Sequence, residues 1–305
     1  MNKKKIVIIT GTGGALGTGH FQRMMNLASY MNEKHDFEIS FLIKTGDYPV
    51  PAEFSMMKIS SLPDSCDLII RDMRDSTKQE MLSLSGIAPV IAVDDAGDGK
   101  NCTENSINLL PLPSSSSSAI KADYSRFLYG YTFTLGVKEL IRKNLNERDI
   151  DITIYAGFSP PPALLVLIGK SLPENNRAVL LSAGKPIVLT GDPLPDNITY
   201  SEILARTKIV MTHFGLTMFE AHICGCLIAA LNPTPYHSEL TETVRREMKI
   251  IHLTEYSSFD PVIMGDDLML HLKKNNIPVT SPEEILSSIN NGLENFTRYI
   301  YKNLM

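Results

Sequence analysis

The chain has 305 residues, enough for about two domains, and its 43% hydrophobic and 21% charged residues are typical of a soluble globular protein. A formal net charge of -5 argues against a nucleic-acid-binding surface. The first apolar run, Ile6–Ile9, is too short for a signal peptide, and no run reaches the roughly 18 residues of a membrane span. We therefore expect a cytoplasmic protein with no transmembrane segment, and peripheral membrane contact stays open.

The N-terminal segment combines a strand, a glycine-rich turn and the start of a helix. The short β-branched run Ile6–Ile9 fits the first strand of a parallel sheet. Five glycines follow between residues 11 and 19, and residues without a Cβ let the backbone pass close to a ligand. Apolar residues recur at helical spacing from Phe21, which predicts a helix that begins near His20. His20 would then lie at a helix N-terminus, where free N–H groups favour an anion.

The glycine segment argues against two common nucleotide-binding classes. It lacks the lysine and hydroxyl of a P-loop, so a kinase or ATPase is not expected. Residues 12–19 read T-G-x-x-x-G-x-G and look like the cofactor loop of short-chain dehydrogenases. The second predicted strand, residues 37–44, ends without the acidic residue that would hold a ribose. A nicotinamide-dependent dehydrogenase is therefore kept only as a remaining alternative.

Residues 17–23 read GTGHFQR. This run resembles the G-x-G-H-x-x-R segment of the UDP-sugar hydrolases of the pseudaminic acid pathway, which are relatives of the GT-B nucleotide-sugar glycosyltransferases. The resemblance implies a GT-B-like α/β fold, with two Rossmann-like domains facing across a cleft that holds a nucleotide sugar. It also implies that His20 is the catalytic base, and that the nucleotide sugar contacts Gly17, Thr18, Gly19 and Arg23. A helix-capping role for His20 and a surface ion pair for Arg23 are the structural alternatives.

Acidic residues follow two more predicted strands of the first domain. Residues 66–70 lead into the charged segment 71–75, which is either a ligand-binding edge of the sheet or a solvated loop with internal ion pairs. Residues 89–93 lead into Asp94 and Asp95, which the resemblance implies help to order the first domain's site. Adjacent side chains at a strand end point to opposite sides, so these two carboxylates are not expected to form an acid–base pair. Capping of the next turn is the alternative for one of them.

The second domain is predicted to restart the strand–loop–helix pattern. A connection near residues 144–149 divides the chain into domains 1–145 and 146–305, and residues 151–155 read as a strand. The loop that follows, with Gly157, Phe158 and Ser159, resembles in part the Gly-Gly-x-Asp-Pro loop of the hydrolase family. The resemblance implies that this loop binds the nucleotide sugar. It also implies that a last helix, predicted over 281–301, returns to the first domain.

Residues 208–220 form the second informative segment, a predicted strand followed by a glycine-containing turn and a helix start. The segment resembles the ligand-binding part of the second domain of GT-B enzymes, including the glucosaminyltransferase that makes lipid II. The resemblance implies that backbone N–H groups of the turn meet a diphosphate and that Glu220 accepts ribose hydroxyls. The residues assigned to nucleotide-sugar binding here are His213, Phe214, Gly215, Leu216, Thr217 and Glu220. A capping box between Thr217 and Glu220 is the alternative.

No metal or cofactor is expected from the sequence. The four cysteines, Cys66, Cys102, Cys224 and Cys226, lack zinc-like spacing, and no cluster of carboxylates and histidines is apparent. The pair Cys224 and Cys226 is interpreted as two small buried thiols in a helix-to-strand turn.

Together these features predict an enzyme that hydrolyses a nucleotide sugar, with a UDP-sugar as the first candidate, in surface-glycan or nonulosonic acid biosynthesis. His20 would accept a proton from the attacking water, while the second-domain helix stabilises the departing nucleoside diphosphate. Two alternatives stay open. The chain is a GT-B glycosyltransferase that uses the same donor site, or it binds a nucleotide sugar without turnover, because Arg71, Met73 and Ser159 depart from the hydrolase family's pattern.

Overall fold

The computed structural model describes residues 3–13, 19–44, 52–109, 143, 147–157, 160–173, 175–182, 185–248, 250–274 and 292–302. These residues belong to two compact units. The N-terminal unit contains residues 3–109 and 292–302, and the C-terminal unit contains residues 143 and 147–274. The predicted division at residue 145 lies outside the described residues.

The N-terminal unit is built on a parallel sheet. Its elements in chain order are β1 (Lys4–Gly11), α1 (Gly19–Lys34), β2 (Phe37–Lys44), α2 (Ala52–Ser55), β3 (Lys58–Ile59), β4 (Leu68–Asp72), α3 (Lys78–Ser85), β5 (Val90–Val93) and β6 (Asn105–Ile107). The strands lie in the order β3-β2-β1-β4-β5-β6, and every pair is parallel. The order reverses between β1 and β4, which is the point where open α/β sheets bind ligands at their carboxyl ends.

The amphipathic pattern of α1 fixes which of its residues face the sheet. Phe21, Met24, Leu27, Ala28 and Met31 recur at helical spacing and are completely buried. Burial of this stripe against the sheet holds the first turn of α1 beside the carboxyl ends of β1 and β4. The predicted start of the helix near residue 20 is confirmed, because α1 begins one residue earlier.

The C-terminal unit repeats this arrangement. Its elements are β7 (Ile150–Tyr155), α4 (Pro162–Ser171), β8 (Ala178–Ser182), β9 (Lys185–Thr190), α5 (Tyr200–Arg206), β10 (Thr207–Thr212), α6 (Leu216–Ile223), β11 (Leu227–Asn232), α7 (Pro235–Met248), β12 (Ile250–Glu255) and α8 (Pro261–Lys274). The strand order is β12-β11-β10-β7-β8-β9, and only β9 is antiparallel to its neighbour. The strand order again reverses between β10 and β7.

Residues 292–302 form helix α9, which packs on the N-terminal unit. Tyr30 donates a hydrogen bond of 2.8 Å to Glu294, and Tyr299 donates one of 2.9 Å to Asn105. Residues 281–291 of the predicted last helix lie outside the described residues. In the part of the chain that is described, no helix is long and apolar enough to cross a membrane.

The structure differs from the sequence prediction at four helices. The sequence pattern predicts a loop over residues 232–237, and this prediction is wrong in its second half, because helix α7 begins at Pro235. Proline suits a first helical turn because that turn needs no N–H donor. Helices α2, α3 and α8 were not predicted. The first two are short, and in the third Gly265 and the acidic pair that follows it interrupt the apolar pattern.

The prediction for the cysteine pair is confirmed. Cys224 and Cys226 are buried between α6 and β11, and neither forms a disulfide with another described cysteine. The buried side chain of Arg148 holds this turn, because it donates hydrogen bonds of 2.6 Å to the carbonyl oxygens of Cys224 and Thr207.

A substitution at Gly97 tests the close packing of the loops that follow β4 and β5. A Cβ at Gly97 would approach the backbone oxygen of Ser76 to 2.1 Å, so we expect Gly97→Ala to lower the free energy of unfolding by about 2 kcal/mol or more. The matched control is Gly169→Ala in α4, where a Cβ meets no atom within 4 Å and should stabilise by about 0.5–1 kcal/mol. Urea unfolding followed by circular dichroism measures both. A Gly97→Ala chain of unchanged stability would contradict this packing.

Candidate functional site

A buried carboxylate lies at the carboxyl end of the N-terminal sheet. Asp72 is the last residue of β4 and has no exposed surface. Its Oδ1 lies 2.7 Å from Nδ1 of His20, and Arg23 donates to both carboxylate oxygens, at 2.6 Å from Nε and 2.5 Å from Nη2. His20 and Arg23 are three residues apart on α1 and therefore share one helix face. The solvated-loop interpretation of residues 71–75 is wrong at Arg71 and Asp72, which are 2% and 0% exposed.

The charges around Asp72 determine which nitrogen of His20 is available. Burial alone would raise the pKa of Asp72, but Arg23 and His20 outweigh it and lower the pKa. An ionised carboxylate only accepts hydrogen bonds, so Nδ1 of His20 must be the donor. In the neutral imidazole this leaves a lone pair on Nε2, and no described residue hydrogen-bonds to that atom. His20 is thus a histidine oriented by a carboxylate, and its side chain does not cap the helix.

Asp94 joins the same cluster from the end of β5. Its Oδ2 forms an ion pair of 2.6 Å with Nη1 of Arg23, and its Oδ1 accepts a 2.7 Å hydrogen bond from the backbone of Leu109. Asp94 has a left-handed backbone with φ of 47°, a conformation that short polar residues tolerate. The surface-pair alternative for Arg23 is wrong, since only 4% of this residue is exposed.

Asp95 points to the opposite side of the sheet, as the alternation of side chains predicted. Its Oδ1 accepts hydrogen bonds of 2.9 Å from the backbone N–H groups of Ser76 and Gly97, and its Oδ2 faces Arg71 at 3.2 Å. Asp95 therefore holds the neighbouring loop, which was the alternative for one of the two carboxylates. Its predicted role in the ligand site stays a prediction.

The C-terminal unit presents a helix N-terminus at the carboxyl end of β10. Helix α6 starts at Leu216 after the N-cap residue Gly215, and no side chain caps it. The first N–H groups of such a helix attract an anion through unpaired donors and the helix dipole. The predicted capping box is wrong, because Thr217 lies inside the helix and the carboxylate of Glu220 bonds elsewhere.

Glu220 is a buried carboxyl group one turn into α6. It is 4% exposed, and its Oε2 accepts a 2.6 Å hydrogen bond from the hydroxyl of Tyr200, whose oxygen lies 3.2 Å from Oγ1 of Thr217. Burial raises the pKa of Glu220 to about 7, and the hydrogen bond from Tyr200 acts against this rise. Among the described residues no cation pairs with Glu220. Tyr200 was not predicted as a site residue, because it comes from α5, 20 residues earlier in the chain.

His213 lies at the end of β10 with an unpartnered nitrogen. Its ring stacks on Tyr155 with centroids 5.8 Å apart, and a Cβ on the neighbouring Gly157 would lie 3.5 Å from its Cε1. Its Nδ1 is buried and has no hydrogen-bond partner within the described residues. Burial, together with the nearby His237, lowers the pKa of His213 to about 4. The ring is therefore neutral at neutral pH and retains a free polar atom.

Phe214 has a structural position in the same loop. Its side chain is buried against Phe219, with ring centroids 5.6 Å apart. Its backbone N–H donates a 2.9 Å hydrogen bond to the amide oxygen of Asn232, whose amide nitrogen in turn donates to Thr241 at 3.0 Å. Asn232 is fully buried, so β11 fixes the path of the loop between β10 and α6.

Four predicted site residues, Gly17, Thr18, Phe158 and Ser159, lie outside the described residues. Gly19 is the first residue of α1, and Gly157 follows β7 with φ of +99°. Across the ranges that the structure describes, no group of three or more His, Cys, Asp or Glu side chains is placed to hold a metal ion.

Comparison with known proteins identifies the fold. No protein-family model and no curated protein matches the sequence. Solved structures do match. The glycotransferase of kitacinnamycin aligns over 100% of both chains with a TM-score of 0.60 and 12% identity. The spinosyn rhamnosyltransferase SpnG, solved with thymidine diphosphate, aligns over 97% of this chain and 100% of its own, with a TM-score of 0.55 and 12% identity.

A third structure, Arabidopsis thaliana UGT89C1 complexed with UDP-L-rhamnose, aligns over 100% of both chains with a TM-score of 0.53 and 10% identity. These likenesses show that the chain has the α/β fold of GT-B glycosyltransferases, built from two Rossmann-like domains. The predicted fold class is confirmed.

The raised pKa of Glu220 predicts a pH-dependent stability. Because its pKa of about 7 exceeds the ordinary 4.5, the folded chain holds this proton more tightly than the unfolded chain. The contribution of Glu220 to stability should therefore fall as the pH rises from 4.5 to about 7 and then level off, whereas that of His213, whose pKa is lowered to about 4, rises over an overlapping range. The side chain of Glu220→Gln does not titrate. The free energy of unfolding of this variant should therefore rise relative to that of the wild type across this pH range, by about 3 kcal/mol at most.

Urea unfolding at a series of pH values measures this difference. Glu242→Gln is the control, because the Glu242 side chain is 60% exposed, and this substitution should change stability by less than about 0.5 kcal/mol. A Glu220→Gln chain that loses stability relative to the wild type as the pH rises would contradict the assignment.

Proposed function

We propose that the chain transfers the glycosyl group of a nucleoside-diphosphate sugar to a hydroxyl group. The observation that carries this proposal is the hydrogen bond between His20 and the buried carboxylate of Asp72. A glycosyl transfer needs a base that takes the proton of the attacking hydroxyl and a site that stabilises the departing diphosphate. The two units of this chain supply groups suited to each task.

In the N-terminal unit, Nε2 of His20 accepts the proton of the attacking hydroxyl. Asp72 is a positioning residue, since it holds Nδ1 through a 2.7 Å hydrogen bond and stabilises the imidazolium that forms. Such general-base assistance contributes about 10²- to 10⁴-fold to the rate.

In the C-terminal unit, the first turn of α6 binds the diphosphate. The N–H groups after Gly215, at Leu216 and Thr217, lie where the helix dipole favours negative charge. Nδ1 of His213, neutral and unpartnered among the described residues, offers a further polar contact. The oxygens of Glu220, with Tyr200 holding one of them, accept hydrogen bonds from ribose hydroxyls.

The first candidate for the nucleotide is UDP, and thymidine diphosphate is the second. Support comes from two proteins of the same fold, of which one was solved with UDP-L-rhamnose and the other with thymidine diphosphate. No nucleic acid is expected as a partner, since the net charge is -5.

Hydrolysis of the nucleotide sugar is the second candidate. It is favoured by the match of Gly19, His20 and Arg23 to the G-x-G-H-x-x-R segment of the pseudaminic acid pathway hydrolases. In this reaction His20 deprotonates water, and the products are a nucleoside diphosphate and a free sugar. The two reactions share the donor and the base, and they differ in the nucleophile.

Replacement of the base tests the proposal. We expect His20→Ala to lower kcat by about 10²- to 10⁴-fold, because the nucleophile loses its proton acceptor, while donor affinity stays close to that of the wild type. The matched control is His252→Ala, which removes a histidine that also pairs with an aspartate, Asp267, at 2.6 Å. Steady-state release of nucleoside diphosphate measures both variants. Equal turnover in His20→Ala and the wild type would remove His20 from the mechanism.

Replacement of Glu220 tests the donor site separately. We expect Glu220→Ala to weaken the binding of the nucleoside diphosphate by about tenfold or more, because the ribose hydroxyls lose a carboxylate acceptor. Isothermal titration with UDP and with thymidine diphosphate measures the change, and Glu242→Ala is the exposed control. Unchanged affinity for every nucleotide that the wild type binds would contradict the placement of the ribose.

A further inference from the structure

The buried guanidinium of Arg23 has its contacts fixed by two carboxylates. Its Nε and Nη2 bond the two oxygens of Asp72 at 2.6 and 2.5 Å, while Nη1 pairs with Asp94 at 2.6 Å. All three nitrogens of the guanidinium thus face carboxylates. This bidentate fork is a contact that only arginine makes, and it fixes the plane of the accepting carboxylate.

We propose that Arg23, held from its other side by Asp94, is a positioning residue that locks Asp72 in the orientation which makes Nε2 of His20 the free base. This inference rests on the proposed function, in which Nε2 takes the proton of the nucleophile. A carboxylate that accepts from only one partner turns readily about its terminal bond, because that torsion is broad. The fork removes this freedom from Asp72.

The distances around His20 show how Arg23 restricts the carboxylate of Asp72. Oδ1 of Asp72 accepts hydrogen bonds from Nδ1 of His20, at 2.7 Å, and from Nη2 of Arg23. These two nitrogens lie 3.3 Å apart. Nη2 of Arg23 donates to the same Oδ1 that faces Nδ1, so it keeps this oxygen beside Nδ1 and away from the other ring nitrogen. Because an ionised carboxylate only accepts hydrogen bonds, the hydrogen on the imidazole is held at Nδ1.

Asp94 completes the arrangement. The position of Asp94 is fixed by the backbone around it. Its Oδ1 accepts a 2.7 Å hydrogen bond from the backbone N–H of Leu109, and its own backbone is left-handed, with φ of 47°. Burial disfavours the charge of Arg23, but Asp72 and Asp94 outweigh burial and raise the pKa of Arg23. A single carboxylate would leave the third nitrogen of this buried cation unpaired, at a large cost in desolvation.

Kinetics with chemical rescue test the inference. We expect Arg23→Ala to lower kcat by about 100-fold with KM for the donor nearly unchanged, because the base loses its alignment and the donor site is untouched. Millimolar guanidinium should restore much of the lost rate in Arg23→Ala and none in His20→Ala. Arg23→Lys should recover only part of the rate, since an ammonium lacks the fork. Arg298→Ala, at an exposed arginine of α9, is the control.

A spectroscopic measurement keeps the inference testable if Arg23→Ala does not fold. The ¹⁵N resonances of His20 should show the hydrogen on Nδ1 in the wild type and a mixture of the two tautomers in Arg23→Lys. Asp94→Asn, which removes one anchor of the guanidinium, should give a smaller change in the same direction. The His20→Ala spectrum assigns the signals.

The outcomes separate this inference from the proposed function. Equal turnover in His20→Ala and the wild type would overturn the base assignment, while the ¹⁵N spectra would still report on the lock. A tautomer unchanged in Arg23→Lys and Asp94→Asn would overturn the lock even where His20 proves essential. Loss of rate in Arg23→Ala with a raised donor KM and no rescue would overturn the lock and leave Arg23 with the donor contact that the resemblance implies.

Discussion

The N-terminal unit depends on the burial of one carboxylate at its strand crossover. Asp72 has no exposed surface, and an unpaired charge there would cost several kcal/mol. The compensation comes from α1, whose apolar stripe packs on the sheet and brings His20 and Arg23 to the end of β4. The placement of the imidazole is thus a consequence of helix packing and charge compensation, and the chemistry follows from it.

In the C-terminal unit, by contrast, the ionisable groups of the candidate site have no compensating charge among the described residues. Glu220 is buried beside a hydroxyl, with no described cation to compensate it, so its pKa rises to about 7. His213 is half-buried and pairs with no described carboxylate, and its pKa is lowered to about 4, so it stays neutral. Because Glu220 and His213 lack full hydrogen bonding, they favour a ligand that supplies the missing hydrogen bonds. A ribose and a diphosphate would do so. The same feature makes the unliganded site costly to stability, as functional sites often are.

Much of the fold could be predicted from the sequence, because parallel strands buried on both faces read as short apolar runs. β2 has the bounds that its pattern predicted, and α1 begins within one residue of its predicted start. Helix α8 could not be predicted from its pattern, since Gly265 interrupts the apolar stripe and lies where a Cβ would approach Ser171 to 3.0 Å. A glycine that lets two helices pack closely does not add an apolar residue to the periodic pattern, so the sequence does not reveal such a contact.

The candidate site was predicted less completely. His20 and Glu220 were found through local motifs, whereas Asp72 and Tyr200, which hold them, come from other elements of the chain. Asp72 was expected in a charged segment that either binds a ligand or forms a solvated loop, because sequence alone does not reveal that α1 covers the end of β4. Residues that come into contact only in the folded sheet leave no local pattern in the sequence. Their roles are inferred from distances and burial.

Incubation of the purified chain with UDP-, GDP-, CMP- and dTDP-sugars, with and without hydroxyl acceptors, is the strongest test of the proposed glycosyl transfer. Nucleotide release and nucleotide binding are followed together. We expect that at least one nucleoside-diphosphate sugar binds and is cleaved. Release that requires an acceptor identifies a transferase, and release in water alone identifies a hydrolase. A chain that binds these sugars but cleaves none, with or without acceptors, would contradict catalysis, and one that binds none would contradict the donor site as well.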